Sequence, residues 1–207
     1  MQHVDELDRS IRTYFSGRWH TTTFDREHGL RVRVAGAPAD AELAVGDAIH
    51  NLRTALDLAA VEAVQFGGGS GNATHFPFCE NADALEDTIR WRKLYRAPAE
   101  VQDLIRSLRP YKGGNDALRG LHDLDIRDKH RTLIEVAANV TTPALRAVMT
   151  DGKPRIEMDP ATEPKAVFTF SKNSRFDGKP LVETLRDLGR QVLEIVDSIA
   201  AACKKTR

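Results

Sequence analysis

Between Val45 and Ala63 apolar residues recur at steps of three and four, at Val45, Ala48, Ile49, Leu52, Ala55, Leu56, Ala59 and Ala63. That spacing predicts a long helix with one broad core-facing stripe, capped near Asp40 and running to about Phe66. Val4, Leu7, Ile11, Tyr14 and Phe15 predict a first amphipathic helix closed by Gly17. The alternating runs Arg18 to Phe24 and Leu30 to Val34, separated by Arg26-Glu27-His28-Gly29, predict a β-hairpin. After the flexible Gly67 to Gly71 stretch, the Phe76-Pro77-Phe78 segment is expected to lie over the core by its two rings. Helices are then expected over Ala82 to Lys93, from Pro98 through Leu108, and from Leu118 to about Ala138 with Asn115 or Asp116 as cap. Short β-type runs follow at Ala144 to Thr150, Arg155 to Met158 and Ala166 to Phe170, and Pro180 to about Lys204 carries a full apolar helical stripe.

These elements predict an α+β fold, mostly a helical bundle around the long central helix with a small antiparallel sheet to which the hairpin and the later strands both contribute. One domain is expected over 1–207, comprising an N-terminal helix and hairpin at 1–36, a helical core at 40–138, strands at 144–170 and a C-terminal helix at 180–204. There is no internal repeat and no low-complexity linker to divide it.

The polar positions of the central helix change the picture from scaffold to candidate site. His50, Arg53 and Asp57 fall on one stripe, flanked by Asp47, Asn51 and Thr54, and such residues in mid-helix have poor helix propensity. They form either an intra-helix salt bridge with His50 beside it or part of a site. A second cluster, Asp125-Ile126-Arg127-Asp128-Lys129-His130-Arg131, reads equally as a laced helix surface or as the other wall of that site. His130 taken by itself lies with Ile126, Leu133 and Ile134, where a core histidine sits. Together Asp47, His50, Asp57, Asp125, Asp128 and His130 form a histidine and carboxylate set able to hold a divalent metal between helices, although neither helix carries a tight ligand pair. No cofactor is specified by any motif. His20, His28, His75 and His122 stand alone on strand, turn or loop and receive no role. Arg90, Arg92, Lys93 and Arg96, interleaved with Trp91 and Tyr95, read as an RNA-binding stretch or as a helix surface with snorkelling arginines.

Composition limits the partners. Thirty basic and thirty acidic residues in 207 give zero formal charge, so no global field collects nucleic acid or an anionic membrane, and any such binding is local. Cys79 and Cys203 have no paired spacing, which predicts neither a disulfide framework nor a thiolate zinc site. No signal-type or membrane-spanning run is present, so the chain is read as a soluble cytoplasmic protein without a membrane partner.

IHNLRTALD at 49–57, Phe-Pro-Phe at 76–78, RPY at 109–111 and LHDLDIRDKHRTL at 121–133 resemble a bacterial and phage protein family to which no activity is assigned. More remotely, an Arg in a helix followed by a polar stretch resembles the helical HEPN superfamily of nucleotide-binding proteins and ribonucleases. There an Arg and a His form a composite site, often across a homodimer. The resemblance implies a nucleic-acid or nucleotide partner, Arg53 as the phosphate grip, and Leu58 where a His is expected, so that His50 or His130 would supply the acid/base group. Three functions are compatible with these residues: a HEPN-like nucleic-acid or nucleotide-interacting protein with His50, Arg53, Asp57, Asp128 and His130 at a degenerate ribonuclease-type site, a non-enzymatic interaction protein, and a metal-binding bundle.

Overall fold

The computed structural model describes residues 2–17, 19–25, 29–38, 41–130, 136–141, 145–158, 165–171 and 174–205. The central helix is α2 (Ala41–Phe66), and the residues that bury on it are those of the apolar stripe, among them Val45, Ala48, Ile49, Leu56, Ala59, Ala60 and Ala63. Helix α1 (Gln2–Ser16) and the C-terminal α6 (Leu181–Lys205) pack along it and against each other. On α6 the buried positions Leu181, Leu185, Leu188, Val192, Ile195 and Ile199 are spaced at three and four residues, the pattern of one helix face against a core. Arg186 near the start of α6 reaches Asp8 at 3.0 Å, joining the two chain ends at the surface. The fold is α+β and mostly helical, and no helix among the described residues is long and apolar enough to cross a membrane.

Two short helices and one 3₁₀ turn connect the core. Helix α3 (Leu85–Trp91) stops at Lys93, whose left-handed backbone (φ +62°) ends the winding, and Leu94–Arg96 follows as the 3₁₀ turn. Pro98 caps α4 (Ala99–Leu108) from outside its first turn, where its missing N–H leaves no helical bond unmade. Helix α5 (Asp116–His130) is capped by Asn115, whose Oδ1 accepts from the Leu118 N–H at 3.0 Å. The expected cap Asp40 and the hairpin residues 26–28 lie outside the described residues.

The strands differ from expectation in two ways. Helix α5 does not continue to Ala138: residues 136–141 form a strand, β3, after β1 (His20–Asp25) and β2 (Gly29–Val34), and β4 (Leu145–Thr150), β5 (Lys153–Met158) and β6 (Lys165–Phe170) follow. Strand β3 pairs antiparallel with β6, Val136 opposite Phe170. Among the described residues the hairpin does not join that sheet, since β1–β2, β3–β6 and β4–β5 are three separate two-stranded ladders. The β3–β6 pair is tied to the helices from the β6 side, where Phe168 and Phe170 are buried and the Phe168 ring stacks on Phe15 of α1 with centroids 5.1 Å apart. Glycine is required where α5 meets the turn before α6: a Cβ at Gly120 would come within 2.6 Å of the Phe176 ring.

Candidate functional site

The polar stripe of α2 is divided between two neighbours. At its N-terminal end His50 faces α5, and its Nδ1 lies 3.1 Å from Oδ1 of Asp125. Asp125 is buried because it stands seven residues after Leu118 and four after Leu121, on the stripe that α5 turns toward the core. The His50 side chain is half exposed, and no described residue bonds its Nε2. A carboxylate accepting from Nδ1–H fixes the tautomer that leaves Nε2 as a free base.

At the other end, Arg53 and Asp57 form an ion pair one helical turn apart, and Arg53 is only 8% exposed. The guanidinium carbon sits 4.6 Å from the centroid of the Phe78 ring. Asp57 also accepts from the Phe76 backbone N–H at 2.7 Å, and His75 Nδ1 lies 3.6 Å from its other oxygen. The Phe-Pro-Phe segment therefore lies across α2 as a strap, with Phe76 and Pro77 buried and the two phenylalanine rings 5.0 Å apart.

The far end of the strap is held by α5. Buried Arg119 donates to the Cys79 carbonyl at 2.8 Å, to Glu80 at 2.6 Å and to Asp123 at 2.9 Å, so all three sides of its fork are occupied. Hydrogen bonds from Lys112 and Arg119 hold the Glu80 carboxyl down to about 2. Arg175, from the turn before α6, donates to the second oxygen of Asp123 at 3.1 Å. His122 stacks flat on Phe78, centroids 4.5 Å apart and planes at 6°. Burial, then the positive charges of Arg53 and Arg119, push its pKa down to about 4, and its Nδ1 is buried with no hydrogen-bond partner among the described residues. Arg53 Nη1 also lacks an aligned hydrogen bond to any described residue although it touches Asp57, so that contact is an ion pair without the directional component.

His50 and Asp125 thus meet, whereas Arg53 and Asp57 bond to each other and to the strap, with the Arg53 charge close enough to His122 of α5 to lower its pKa. Asp47 is exposed one turn before His50. Asp128 and His130 are in the last turn of α5, and their side chains lie outside the described residues. Among the described residues no three His, Cys, Asp or Glu side chains converge as a metal cage. Both cysteines are free and buried, and burial raises both thiol pKa values, which makes them poor nucleophiles and ligands.

Three residues without an assigned role prove central. His122 is on a helix rather than a loop, Arg119 is the most heavily bonded cation of the seam, and His75 sits beside Asp57. A signal for Arg119 existed in its spacing, one residue after the apolar Leu118 and four before Asp123, but its main partners are backbone and side chain of the strap 39 and 40 positions away. No protein-family model matches the chain, and no curated protein or solved structure is detectably similar to it, so a functional reading rests on the geometry alone.

Proposed function

We propose that the chain is a non-enzymatic interaction protein in which the polar residues of α2 and α5 are structural, fixing the register of the two helices and holding the 76–80 strap to both. Arg53 carries the reading. Its side chain is buried, its charge is matched by Asp57 and one face of its guanidinium is against Phe78, whereas an arginine that grips phosphate presents its fork to the ligand. Arg119 supports the same reading, because all of its bonds are internal. The test is incubation of the purified chain with labelled single-stranded and hairpin RNA and DNA, with and without Mg²⁺ or Mn²⁺. No product above the blank is expected. Cleavage that disappears in a folded His50→Ala variant would overturn the proposal.

A second reading, a HEPN-like nucleic-acid or nucleotide-interacting protein, is favoured by His50. A half-exposed imidazole with its Nδ1 on a buried carboxylate and its Nε2 without a described partner has the form of a positioned general base. In this reading the phosphate grip comes from a residue other than Arg53, in the same chain or in a second copy.

A further inference from the structure

The Arg90–Arg96 segment holds four cations and no acid in seven residues, Arg90, Arg92, Lys93 and Arg96 around Trp91 and Tyr95. If its arginines were merely snorkelling, their stems would cover the neighbouring rings. Instead Trp91 is 82% exposed and Tyr95 51% exposed, although a tryptophan has more apolar surface to bury than any other residue. The three arginines are also weakly committed. Arg90 meets Asp87 only at 3.8 Å with both side chains in solvent, and Arg92 has no hydrogen bond or ion pair with any described residue. Arg96 lies against its own neighbour, Nε 3.2 Å from the Tyr95 hydroxyl and Cζ 5.7 Å from the ring centroid.

The segment is held firmly to the core. Leu94 is fully buried, Lys93 Nζ donates to the Asn72 carbonyl at 2.9 Å, and a Cβ at Gly67 would come within 1.9 Å of the Arg96 carbonyl oxygen, so the end of α2 abuts this turn directly. Exposed π-faces on a fixed backbone, with cations on either side, are complementary to a base and the phosphates that flank it.

We infer that this surface binds single-stranded nucleic acid, with Trp91 stacking a base and Arg90, Arg92 and Arg96 meeting the backbone phosphates. None of these residues takes part in the Arg53 or His50 pairs, so the surface names a partner for the interaction protein without depending on how the α2–α5 seam is read. Zero net charge makes the binding local, and its salt dependence correspondingly shallow: two to four phosphate contacts on a single strand give a slope of log K against log salt of roughly −1.4 to −2.8. Stacking is indifferent to base identity, so little sequence preference is expected.

The experiment is fluorescence anisotropy with labelled oligo(U) and oligo(dT) of about 20 nucleotides, long enough to cover a single platform, titrated with the full chain at low and physiological salt. The expected result is salt-dependent binding that weakens about tenfold in Trp91→Ala. The Arg90→Gln/Arg92→Gln double variant should make the salt slope shallower by roughly 1.4. Trp91 and Arg90 are exposed and Arg92 is partly buried, and unchanged thermal melts establish that the variants are folded. The inference is overturned by no binding at low salt, by Trp91→Ala binding as well as the parent, or by polyglutamate competing as effectively as the oligonucleotide, which would make the surface a general polyanion or acidic-protein site. Cleavage of the bound strand would sink the non-enzymatic reading while leaving this one standing, and absence of binding would do the reverse.

Discussion

His50 and Asp125, 75 positions apart in the chain, meet at 3.1 Å where α2 crosses α5, the histidine half exposed and the aspartate buried. The asymmetry predicts unequal losses. Removing the histidine takes away one partner at the edge of solvent, whereas removing the aspartate strips a buried acceptor from groups arranged around it. His50→Ala is expected to cost about 1 kcal/mol and Asp125→Ala about 2–3 kcal/mol, read from urea unfolding midpoints. Equal losses, or a larger one for His50, would contradict the burial argument.

His122 sets an acid limb of stability. Its folded pKa, about 4, lies below the ordinary value of 6.5, so the folded chain keeps the ring neutral while the unfolded chain takes up a proton. Stability is therefore complete above about pH 6.5 and falls as the pH drops toward 4, by on the order of 2 kcal/mol once partial exposure is allowed for. His122→Phe keeps the stack on Phe78 and has nothing to protonate. It should unfold like the parent at pH 7 and be the more stable of the two at pH 5. A parent and variant that lose stability in parallel across that interval would place the acid sensitivity elsewhere.

Gly120 tests the packing between α5 and the turn before α6. Alanine there would gain roughly 1 kcal/mol of helix propensity, but its Cβ would stand 2.6 Å from the Phe176 ring, and Phe176 is buried. Overpacking of this kind costs typically 1–3 kcal/mol, so Gly120→Ala is expected to lower the melting temperature. A stabilised variant would mean that Phe176 moves aside without loss.

The structural reading of the seam also predicts that metal is irrelevant to folding. Dialysis against a chelator, followed by Zn²⁺, Mn²⁺ or Fe²⁺, is expected to leave the melting temperature unchanged. A rise of several degrees on adding metal, absent in His50→Ala, would instead establish a site on α2.

How much of this was legible follows from where each partner lies. The Arg53–Asp57 pair is one turn apart, and the α2 and α6 stripes keep an unbroken helical period, so all three are visible in the local pattern. His50 and Arg119 were visible as polar residues of two helices, but their partners are distant in sequence, and no local rule says that Asp57 turns to the strap while His50 turns to α5. The true end of α5 is hidden from the local pattern for a related reason. Val136 to Ala138 continue an apolar, alanine-rich run that suits a helix, and only their pairing with Phe168 to Phe170, thirty or more positions on, makes them a strand. Strict alternation and a turn specify the two strands of the hairpin but not which sheet they enter.

The proposed role of Arg53 is that of an internal strut, and a double-mutant cycle with Asp57 tests it most directly. Arg53→Ala should cost about 3 kcal/mol, because it leaves Asp57 without its charge partner and Phe78 without the guanidinium. Asp57→Ala should cost a comparable amount, and the double variant at least about 1 kcal/mol less than the sum of the two. Additive losses, or an Arg53→Ala protein that unfolds at the same denaturant concentration as the parent, would contradict the strut and return Arg53 to the role of a ligand-binding residue.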